Sequence, residues 1–434
     1  MSIENLDMMA KVGRSILMEN IIWKELSEDD PIFKNGFVLS SENMQTGLNH
    51  TKNEIKVAII AGEASGDFLG AKLMKEISNY INVKSYFGVG GENMKKAGFD
   101  SIFPMEDISI IGLSGIIFNL KSLIRKINFT KSHIVSNNPK ILIIIDCPEF
   151  SHRVAAKVKK SLPGIIIINY VSPSIWAWRK NRATKMNRYI DHVLSILPFE
   201  KEMYNKLNGP KCTYVGHPLI EDFPQLDMAQ RSVNVNNFPR DNIKIIMMPG
   251  SRISEVKKLL RPFGDSLIHL SKLYPKIEIV IPTLDNLKDY VKENTKNWIL
   301  KPHIITDNKQ KKQEMLNASA AIVCSGTATL EVSLARVPMV VAYKTQWLIS
   351  FVRFFIPIKS IVLANIIHGE LPIKELFQIK CTGKRIANEI MPLLEETHER
   401  VKQLRALDDI ADKMYTKTNN PSRKAAKIIA NYLM

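Results

Sequence analysis

Short apolar runs recur along most of the chain, and each stops at a glycine, a proline or a polar loop. The first run, 57–60, is followed by Gly62 and then by apolar residues at helical spacing. Continuous runs of branched aliphatic residues are typical of strands buried on both faces of a parallel sheet. The strands predicted in this way lie at 57–60, 141–145, 165–168, 192–197, 243–248, 277–281, 320–324 and 339–342.

Helical stretches between these runs predict right-handed βαβ units, and a connector divides the units into two sets. The connector, 223–240, contains two prolines and is rich in asparagine. We therefore predict the α/β class, with two doubly wound domains at 54–222 and 223–395. The cleft between two such domains is the expected ligand site. A helical segment, polar on one face, follows at 396–434.

The first 53 residues show no clear periodicity and lean acidic, in contrast to the basic remainder. A mitochondrial transit peptide is poor in acidic residues, which argues against that interpretation. Two alternatives remain open for this segment. It is a poorly ordered extension, or Met44 is the true start of the protein.

Composition narrows the class of partner. The chain has 434 residues, 60 Lys and Arg against 43 Asp and Glu, and a formal net charge of +17. Such a charge predicts an anionic partner, namely a nucleotide, a phospholipid surface or a nucleic acid. No RNP, KH or zinc-finger pattern is present, so nucleic acid is not expected. The four cysteines form no C-x-x-C pair, which fits a reducing cytoplasm and argues against zinc.

The loops that follow the predicted strands are the candidate ligand loops, because open α/β sheets bind ligands beyond the carboxyl ends of their strands. In the first domain the loop 61–67 (AGEASGD) contains two glycines that permit close backbone approach. Gly88–Gly91 adds a second glycine-rich loop, although it lacks the full dinucleotide fingerprint. Ordinary tight turns remain the alternative for both loops.

Two carboxylates, Asp146 and Glu149, lie three residues apart after the second predicted strand of the first domain. A carboxylate at a strand end can accept a proton from an attacking hydroxyl, although a helix cap would explain the same position. The next loop, 170–179 (YVSPSIWAWR), combines two tryptophans with arginine and precedes further cations. This composition suggests a sugar or lipid platform beside a phosphate site, or else a buried aromatic pair. His217 precedes the connector and is either structural or catalytic.

The second domain offers two loops suited to a diphosphate. Pro249–Val256 (PGSRISEV) places glycine, serine and Arg252 at the start of a predicted helix, where backbone N–H groups and the helix dipole attract an anion. Ser325–Glu331 (SGTATLE) places small hydroxyl residues in the same position, with Glu331 one turn further on. A carboxylate there can accept hydrogen bonds from ribose. Simple capping motifs are the alternative for both loops.

Two apolar segments, 108–120 and 347–367, are flanked or interrupted by cations and are too short or too broken to span a bilayer. Such segments either lie in an anionic membrane interface or hold acyl chains. Buried helices are the alternative.

Taken together, the loops resemble those of the lipid-A-disaccharide synthases. The motifs that carry the resemblance are AGEASGD at 61–67, GVGG at 88–91, Asp146 with Pro148, YVSPSIWAWR at 170–179, ILPFE at 196–200, GHP at 216–218, PGSRISEV at 249–256 and SGTATLE at 325–331. They run in the family's order from about Ile55 to the C-terminus. The first ~50 residues have no counterpart in these motifs.

The resemblance implies a GT-B fold with two Rossmann-like domains, and an inverting glycosyltransferase of Gram-negative lipid A biosynthesis. The implied donor is UDP-2,3-diacylglucosamine, and the implied acceptor is 2,3-diacylglucosamine 1-phosphate (lipid X). The implied products are the β-1,6-linked disaccharide 1-phosphate and UDP. The family also implies a homodimer, peripheral attachment to the anionic cytoplasmic face of the inner membrane, and a C-terminal helical segment 396–434 that packs back on the first domain. No cofactor and no metal are expected.

The resemblance assigns roles to individual residues. Asp146 is the favoured base, with Glu149 and His217 as further catalytic candidates. The expected donor-binding residues are Gly250, Ser251, Arg252, Ser325, Gly326, Thr327, Thr329, Glu331 and Asn365. The expected acceptor or phosphate contacts are Glu63, Ser65, Gly66, Asp67, Ser172, Trp176 and Arg179. The cations at 179–188 are expected to meet the acceptor phosphate or the membrane.

The chain departs from the family pattern at two of these sites. The usual D-x-P-D-F-N reads here D-C-P-E-F-S, so Glu149 replaces an aspartate and Ser151 an asparagine. The usual L-P-N-L-L-A-G reads L-A-N-I-I-H-G, which keeps Asn365 and Gly369. Two other functions remain as alternatives. One is a different UDP-N-acetylglucosamine-using GT-B enzyme, such as a transferase or a 2-epimerase, and the other is a membrane-tethered UDP-sugar binding module.

Overall fold

The computed structural model describes residues 55–109, 120–175, 181–223, 243–344, 360–416 and 420–434. These residues form two parallel β-sheets with helices on both faces of each. The extension 1–53, most of the connector 223–240 and residues 110–119 and 347–359 of the two apolar segments lie outside the described residues. Within the described part, no helix is both long enough and apolar enough to cross a bilayer.

The first sheet has seven strands in the order β3-β2-β1-β4-β5-β6-β7. Its strands are β1 Ile55–Ala61, β2 Val83–Val89, β3 Phe99–Ser101, β4 Ile141–Ile145, β5 Ile166–Tyr170, β6 His192–Ser195 and β7 Cys212–Tyr214. Its helices are α1 Ala64–Ile77, α2 Glu92–Lys96, α3 Glu106–Ser109, α4 Leu120–Asn137, α5 Pro148–Ser161, α6 Asn181–Met186 and α7 Glu200–Lys206, and a 3₁₀ turn follows at Pro218–Glu221.

The second sheet has six strands in the order β10-β9-β8-β11-β12-β13. Its strands are β8 Lys244–Met248, β9 Glu278–Pro282, β10 His303–Ile305, β11 Ala320–Cys324, β12 Met339–Tyr343 and β13 Lys374–Phe377. The helices are α8 Ile253–Leu270, α9 Lys288–Thr295, α10 Asn308–Leu316, α11 Ala328–Leu334, α12 Leu363–His368, α13 Gly383–Ile390, α14 His398–Met414 and α15 Pro421–Ala430, with 3₁₀ turns at Asp285–Leu287, Gln378–Lys380 and Met391–Leu394.

Both sheets confirm the doubly wound α/β prediction. All eight predicted runs are strands, and every residue of β4 has no exposed surface. Burial of an isoleucine side chain contributes roughly 1.5–3 kcal/mol, so a strand covered on both faces selects aliphatic residues throughout. Five further strands were not predicted. Four of them (β3, β7, β10 and β13) are the edges of the two sheets, and β2 lies next to an edge.

Each sheet reverses its strand order at one point. In the first sheet the reversal lies between β1 and β4, which pair in register from Val57 with Ile141 to Ala61 with Ile145. In the second sheet it lies between β8 and β11, where Ile245 pairs with Ala320. The loops that leave the two strands at such a point diverge to opposite faces and open a crevice, which is where open α/β sheets bind ligands.

The C-terminal segment 396–434 divides between the two halves, and this corrects the expectation that all of it packs on the first. Helix α14 packs on α11 and α12 of the second half, whereas α15 packs on α1 of the first. Between these two helices the chain passes from the second half to the first, beside Tyr214 of β7. The Tyr214 hydroxyl donates to the carbonyl of Met414 (2.6 Å), and its carbonyl accepts from Lys424 Nζ (2.7 Å). The 17 residues of α14 extend the second core through Leu404, Leu407 and Ile410.

Candidate active site

Asp146 lies at the reversal point of the first sheet. It follows β4 directly, and the loop Gly62–Glu63 follows the neighbouring strand β1. The backbone N–H of Gly62 donates to Asp146 Oδ1 at 2.9 Å. The loop AGEASGD and the carboxylate, which lie far apart in sequence, therefore form one unit, as the strand-end argument predicts.

Glycine at position 66 permits this contact. A Cβ atom on Gly66 would lie 1.9 Å from Asp146 Oδ2, well inside van der Waals contact, and one on Gly62 would lie 2.3 Å from Cys147 Cβ. Because neither glycine has a side chain, the β1–α1 loop and the first turn of α1 can approach the Asp146–Cys147 loop closely. Ordinary turn geometry does not explain them, because the restriction comes from the neighbouring loop.

The carboxyl group of Asp146 is held in an environment that favours its protonated form. Burial raises its pKa to about 8, and the charge of Glu63 acts in the same direction. The N–H groups of Gly62, Gly66 and Glu63 oppose this shift. Oδ2 is buried and makes no hydrogen bond of normal geometry within the described residues. A carboxylate with this pKa is a stronger base than an exposed aspartate, and its second oxygen awaits a partner.

The backbone that carries Asp146 has a sparsely populated conformation. Asp146 and Cys147 both have positive φ, at 52° and 43°. The hydroxyl of Ser151 lies 2.7 Å from the Asp146 carbonyl and 3.0 Å from that of Cys147, and donates to this pair. Non-glycine residues in this region cluster at functional sites, where the surroundings compensate for the strain. Ser151, which replaces the asparagine usual in the family pattern, therefore holds the aspartate loop.

Glu149 has a different electrostatic environment from Asp146, because it lies beside two arginines. Glu149 lies in the first turn of α5 and forms ion pairs with Arg182 (2.7 Å) and Arg153 (3.6 Å). A carboxylate between two guanidinium groups is stabilised in its charged form and is a weak base. This geometry favours a binding role for Glu149 over the catalytic one that the sequence suggested.

His217 caps the 3₁₀ turn Pro218–Glu221. Its Nδ1 accepts from the N–H of Leu219 at 3.2 Å, so the proton of the neutral ring is on Nε2. Burial lowers its pKa to about 4. A neutral imidazole that presents only an N–H donor cannot accept the proton of a hydroxyl, so the geometry favours the structural alternative.

The expected acceptor contacts fall into two groups. Glu63 and Ser65 are exposed beside Asp146, at the start of α1. Asp67 and Ser172 are buried and committed to internal contacts. Asp67 accepts from the backbone of Gly91, Asn93 and Met94 and from the Asn93 amide, and thereby holds the GVGG loop. Ser172 contacts the Tyr204 hydroxyl and the Pro173 carbonyl. Trp176 and Arg179 lie outside the described residues.

The second sheet presents an open loop at its own reversal point. Gly250, with φ at +116°, turns the chain away from β8, and Glu255 lies where its side chain would be. Ser251 and Arg252 then stand exposed at the N-terminus of α8, a helix of 18 residues, and 72% of the Arg252 side chain is accessible. The Arg252 N–H donates to Glu255 Oε2 at 3.3 Å. An accessible guanidinium at a helix N-terminus suits a diphosphate.

The neighbouring loop after β11 completes this crevice. Nothing in the described chain lies within 4 Å of the position that a Cβ on Gly326 would occupy, and Thr327 is exposed. Thr329, by contrast, is buried and donates to the Gly326 carbonyl at 2.8 Å, so it shapes the loop. Glu331 pairs with Lys311 of α10 at 2.5 Å. No sequence motif marks Lys311, which lies among other lysines and glutamines on α10.

Asn365 supports this loop from behind. It is buried, donates to the Ile373 carbonyl and to Glu375, and accepts from the Ile373 N–H. Glu375 also binds Ser360 and the N–H of Ile361, and the Ile361 carbonyl accepts from Ser325 Oγ at 2.8 Å. Asn365 therefore acts on the Ser325 loop through Glu375. Glu375 lies on the edge strand β13, and no motif in the sequence points to it.

Comparison with known proteins decides the family. The sequence profile described as lipid-A-disaccharide synthetase matches residues 57–429. The lipid-A-disaccharide synthase of Rhodopseudomonas palustris (strain HaA2) is 40% identical over 385 residues, which cover 87% of this chain and 96% of that protein. That of Nitrobacter winogradskyi is 39% identical over 378 residues, 86% of this chain and 94% of the relative. The chain belongs to the lipid-A-disaccharide synthase family.

Solved structures confirm the GT-B fold. MurG of Acinetobacter baumannii aligns with a TM-score of 0.54 at 13% identity, over 87% of this chain and 99% of that chain. A UDP-GlcNAc 2-epimerase of Methanocaldococcus jannaschii, in complex with UDP-GlcNAc and UDP, aligns with a TM-score of 0.56 at 10% identity, over 87% and 100%. At such identities the likeness establishes the fold alone. Membership of the synthase family makes the chain a glycosyltransferase of lipid A biosynthesis, and the epimerase alternative is not favoured.

Proposed function

We propose that this lipid-A-disaccharide synthase transfers 2,3-diacylglucosamine from its UDP derivative to 2,3-diacylglucosamine 1-phosphate. The observation that carries the mechanism is the pairing of Asp146 with the Gly62 N–H at the reversal point of the first sheet. It offers one fixed, half-buried carboxylate to an acceptor, and a loop with an exposed arginine lies at the reversal point of the second sheet. Inverting transfer needs one base and one site for the leaving group, and these two regions supply them.

In the proposed step, Asp146 takes the proton from the acceptor C6 hydroxyl. The hydroxyl oxygen forms a bond to the donor's anomeric carbon from the face opposite to UDP. The bond from that carbon to the phosphate oxygen breaks, and UDP leaves with the electron pair. Attack from the opposite face converts the α-linked donor into the β-linked product. Because Asp146 has a pKa of about 8, proton transfer to it is more favourable than to an ordinary aspartate.

We assign the leaving group to the second half. Arg252 and the backbone N–H groups at the start of α8 face the diphosphate, with Gly250 and Ser251 in the turn before them. The opening at Gly326 and Thr327 accommodates the rest of the nucleotide. Charge that develops on the diphosphate is stabilised by preformed donors, which typically contribute 10²–10³-fold each. Glu331 is the proposed ribose contact, and it has to loosen its ion pair with Lys311 to reach the hydroxyls.

We also propose peripheral attachment to the cytoplasmic face of an anionic membrane, and a homodimer. The net charge of +17 supports the first, because each cation near such a surface contributes roughly 1 kcal/mol. Both substrates carry two acyl chains and reside in that surface. The homodimer rests on the family resemblance.

The test is product formation with a purified chain in neutral detergent. Both diacylated substrates are supplied, and UDP release and product mass are followed beside Asp146→Asn. We expect the β-linked disaccharide 1-phosphate from wild type and a loss of at least ~100-fold in the variant. Equal rates would remove Asp146 as the base while leaving the reaction intact. Transfer from UDP-N-acetylglucosamine to a non-acylated acceptor would instead support the alternative enzyme.

A further inference from the structure

A cluster of charged side chains lies one helical turn from Asp146 and has no part in the proton transfer. Glu149 on α5 pairs with Arg153 of the same helix and with Arg182 of α6. The Arg153 and Arg182 side chains are only 8% and 13% exposed, whereas that of Glu149 is 28% exposed. The two arginine side chains are therefore largely buried, and solvent reaches the cluster mainly at the Glu149 carboxylate.

Among the described residues of this cluster, positive charge exceeds negative charge. Two guanidinium groups share one carboxylate, and the two aromatic neighbours add no charge. Burial and the charge of Arg182 lower the pKa of His152 to about 3, so its ring is neutral, and burial keeps Tyr189 protonated by raising its pKa. Burial of an uncompensated charge is costly, so a half-buried cluster of this kind favours an anion that restores the balance.

The arginines also retain unused hydrogen-bond donors. A guanidinium group has five N–H donors. In the described chain Arg182 makes one hydrogen bond, to Glu149 Oε1 at 2.7 Å, and Arg153 approaches Glu149 only at 3.6 Å, beyond hydrogen-bond length. Planar, bidentate donors match phosphate oxygens in geometry, and the N-terminus of the 14-residue helix α5 adds a favourable dipole.

The cluster lies next to the base along the chain, where the acceptor of the proposed reaction needs both a base and cations. Glu149 follows Asp146 by three residues, on the first turn of the helix that starts beside the base. The acceptor of the proposed reaction carries its reactive hydroxyl at C6 and its phosphate at C1, on either side of the ring oxygen. A binding site for it has to provide a base and cations within the reach of one ring.

We propose that Arg153 and Arg182, held by Glu149, bind the phosphomonoester of the acceptor. This inference rests on the proposed function and identifies the subsite that makes it selective for a phosphorylated sugar. Glu149 is then a positioning residue that orients both guanidinium groups and partly offsets their charge.

The experiment compares two acceptors that differ only in the phosphate, 2,3-diacylglucosamine 1-phosphate and 2,3-diacylglucosamine. Their dissociation constants are measured by titration calorimetry in neutral detergent, so the readout does not depend on turnover. We expect wild type to prefer the phosphorylated acceptor. In Arg182→Gln that preference falls by about tenfold or more, as for the loss of a charge-assisted hydrogen bond. In Arg153→Gln the preference should fall as well, since that guanidinium is the second proposed donor to the phosphate.

Glu149→Gln is the most discriminating variant, because it should strengthen binding where the arginine variants weaken it. Removal of the competing negative charge, with a hydrogen-bond acceptor retained, should tighten binding of the phosphorylated acceptor and leave the other acceptor unchanged. A catalytic or purely structural role for Glu149 predicts no such gain. Arg261→Gln is the matched loss of one positive charge, because that side chain is 91% exposed on the second half.

The outcomes separate this inference from the proposed function. Equal weakening of both acceptors in Arg182→Gln, or no preference in wild type, overturns the phosphate subsite even where disaccharide is formed. A retained phosphate preference that collapses in Arg182→Gln supports the subsite, including in a preparation that yields no disaccharide. In that second case the transfer reaction fails and the subsite stands.

Discussion

The two halves of the molecule place their candidate residues at the same point of the same topology, but they prepare them differently. In the first half Asp146 is half-buried, its loop is held by Gly62, Gly66 and Ser151, and its pKa is raised to about 8. In the second half Arg252 is largely exposed, and the space beside Gly326 is open. The protein holds the carboxylate of the first site in place, whereas the second site keeps an exposed guanidinium that is held only by a long contact with Glu255.

The difference follows from the chemistry assigned to each half. A base has to hold one atom in place and out of water before the substrate arrives, since a displacement of about 1 Å can reduce the rate about 100-fold. A diphosphate site has to admit and release a large charged group, so its N–H donors and its cation stay accessible. Rigid packing around Asp146 and exposure of Arg252 are therefore two consequences of one reaction. Mutations test the comparison by removing each property separately.

The largest effect is expected where exposure is used for chemistry. Arg252→Ala should lower the turnover rate about 10²–10³-fold, because a donor to the leaving diphosphate is lost. The melting temperature should change little, since the side chain is 72% exposed and its ion pair with Glu255 is long, at 3.7 Å. Arg261→Ala, a more exposed arginine of the same helix, is the control and should retain full activity. A fall in melting temperature comparable to the fall in rate would show that Arg252 is structural.

Gly66→Ala tests the close packing around the base. Alanine at this position favours helix α1 by roughly 1 kcal/mol, but its Cβ would displace Asp146 Oδ2. We expect turnover to fall about 100-fold, in the range reported for a misplaced catalytic group. Gly164→Ala, where no described atom lies within 4 Å of the added Cβ, is the matched control. Normal turnover in Gly66→Ala would mean that the carboxylate is not the reacting group.

The same packing predicts an inverse relation between stability and activity at Asp146. A raised pKa in the folded state means that folding is favoured most when the group is protonated, below its unfolded pKa. That contribution is lost as the pH rises from about 4 through about 8. Asp146→Asn removes the titration, so it should stabilise the protein by up to about 5 kcal/mol at pH 8 and by little at pH 4.

Thermal melts of wild type and Asp146→Asn across this pH range check the prediction. The difference in melting temperature should widen steadily with pH and level off above about 8. A difference independent of pH would show that Asp146 is ionised throughout. That result would contradict its assignment as a base with a raised pKa.

How far the sequence predicts each region depends on what buries it. The central strands were found because every residue of β4 is buried on both faces, whereas the edge strands β7 and β13 pair on one side and keep polar residues such as Thr213 and Lys374. Asp146 was found because strand ends converge. Its neighbours Gly66 and Ser151 belong to recognisable motifs, but the sequence does not show that they contact Asp146.

The Arg182 and Lys311 ion pairs were not predicted for a related reason. Each joins helices far apart in sequence, Arg182 with Glu149 and Lys311 with Glu331. Lysine and arginine are common on helix surfaces, so their spacing gives no signal for a specific partner. Only the packing of the helices shows which charges form ion pairs. For this reason the sequence leaves the roles of Glu149 and Glu331 open.

The smallest effect is expected at His217, the residue that tests how far the rigid site extends. Asparagine also accepts from a backbone N–H at the start of a helical turn, so His217→Asn should retain the contact with Leu219. We expect turnover to change by less than about threefold, and the pH dependence of the rate to stay that of Asp146, because the ring is neutral with a pKa of about 4. A rate loss of 100-fold with an altered pH profile would place His217 at the reacting hydroxyl and move the base away from Asp146.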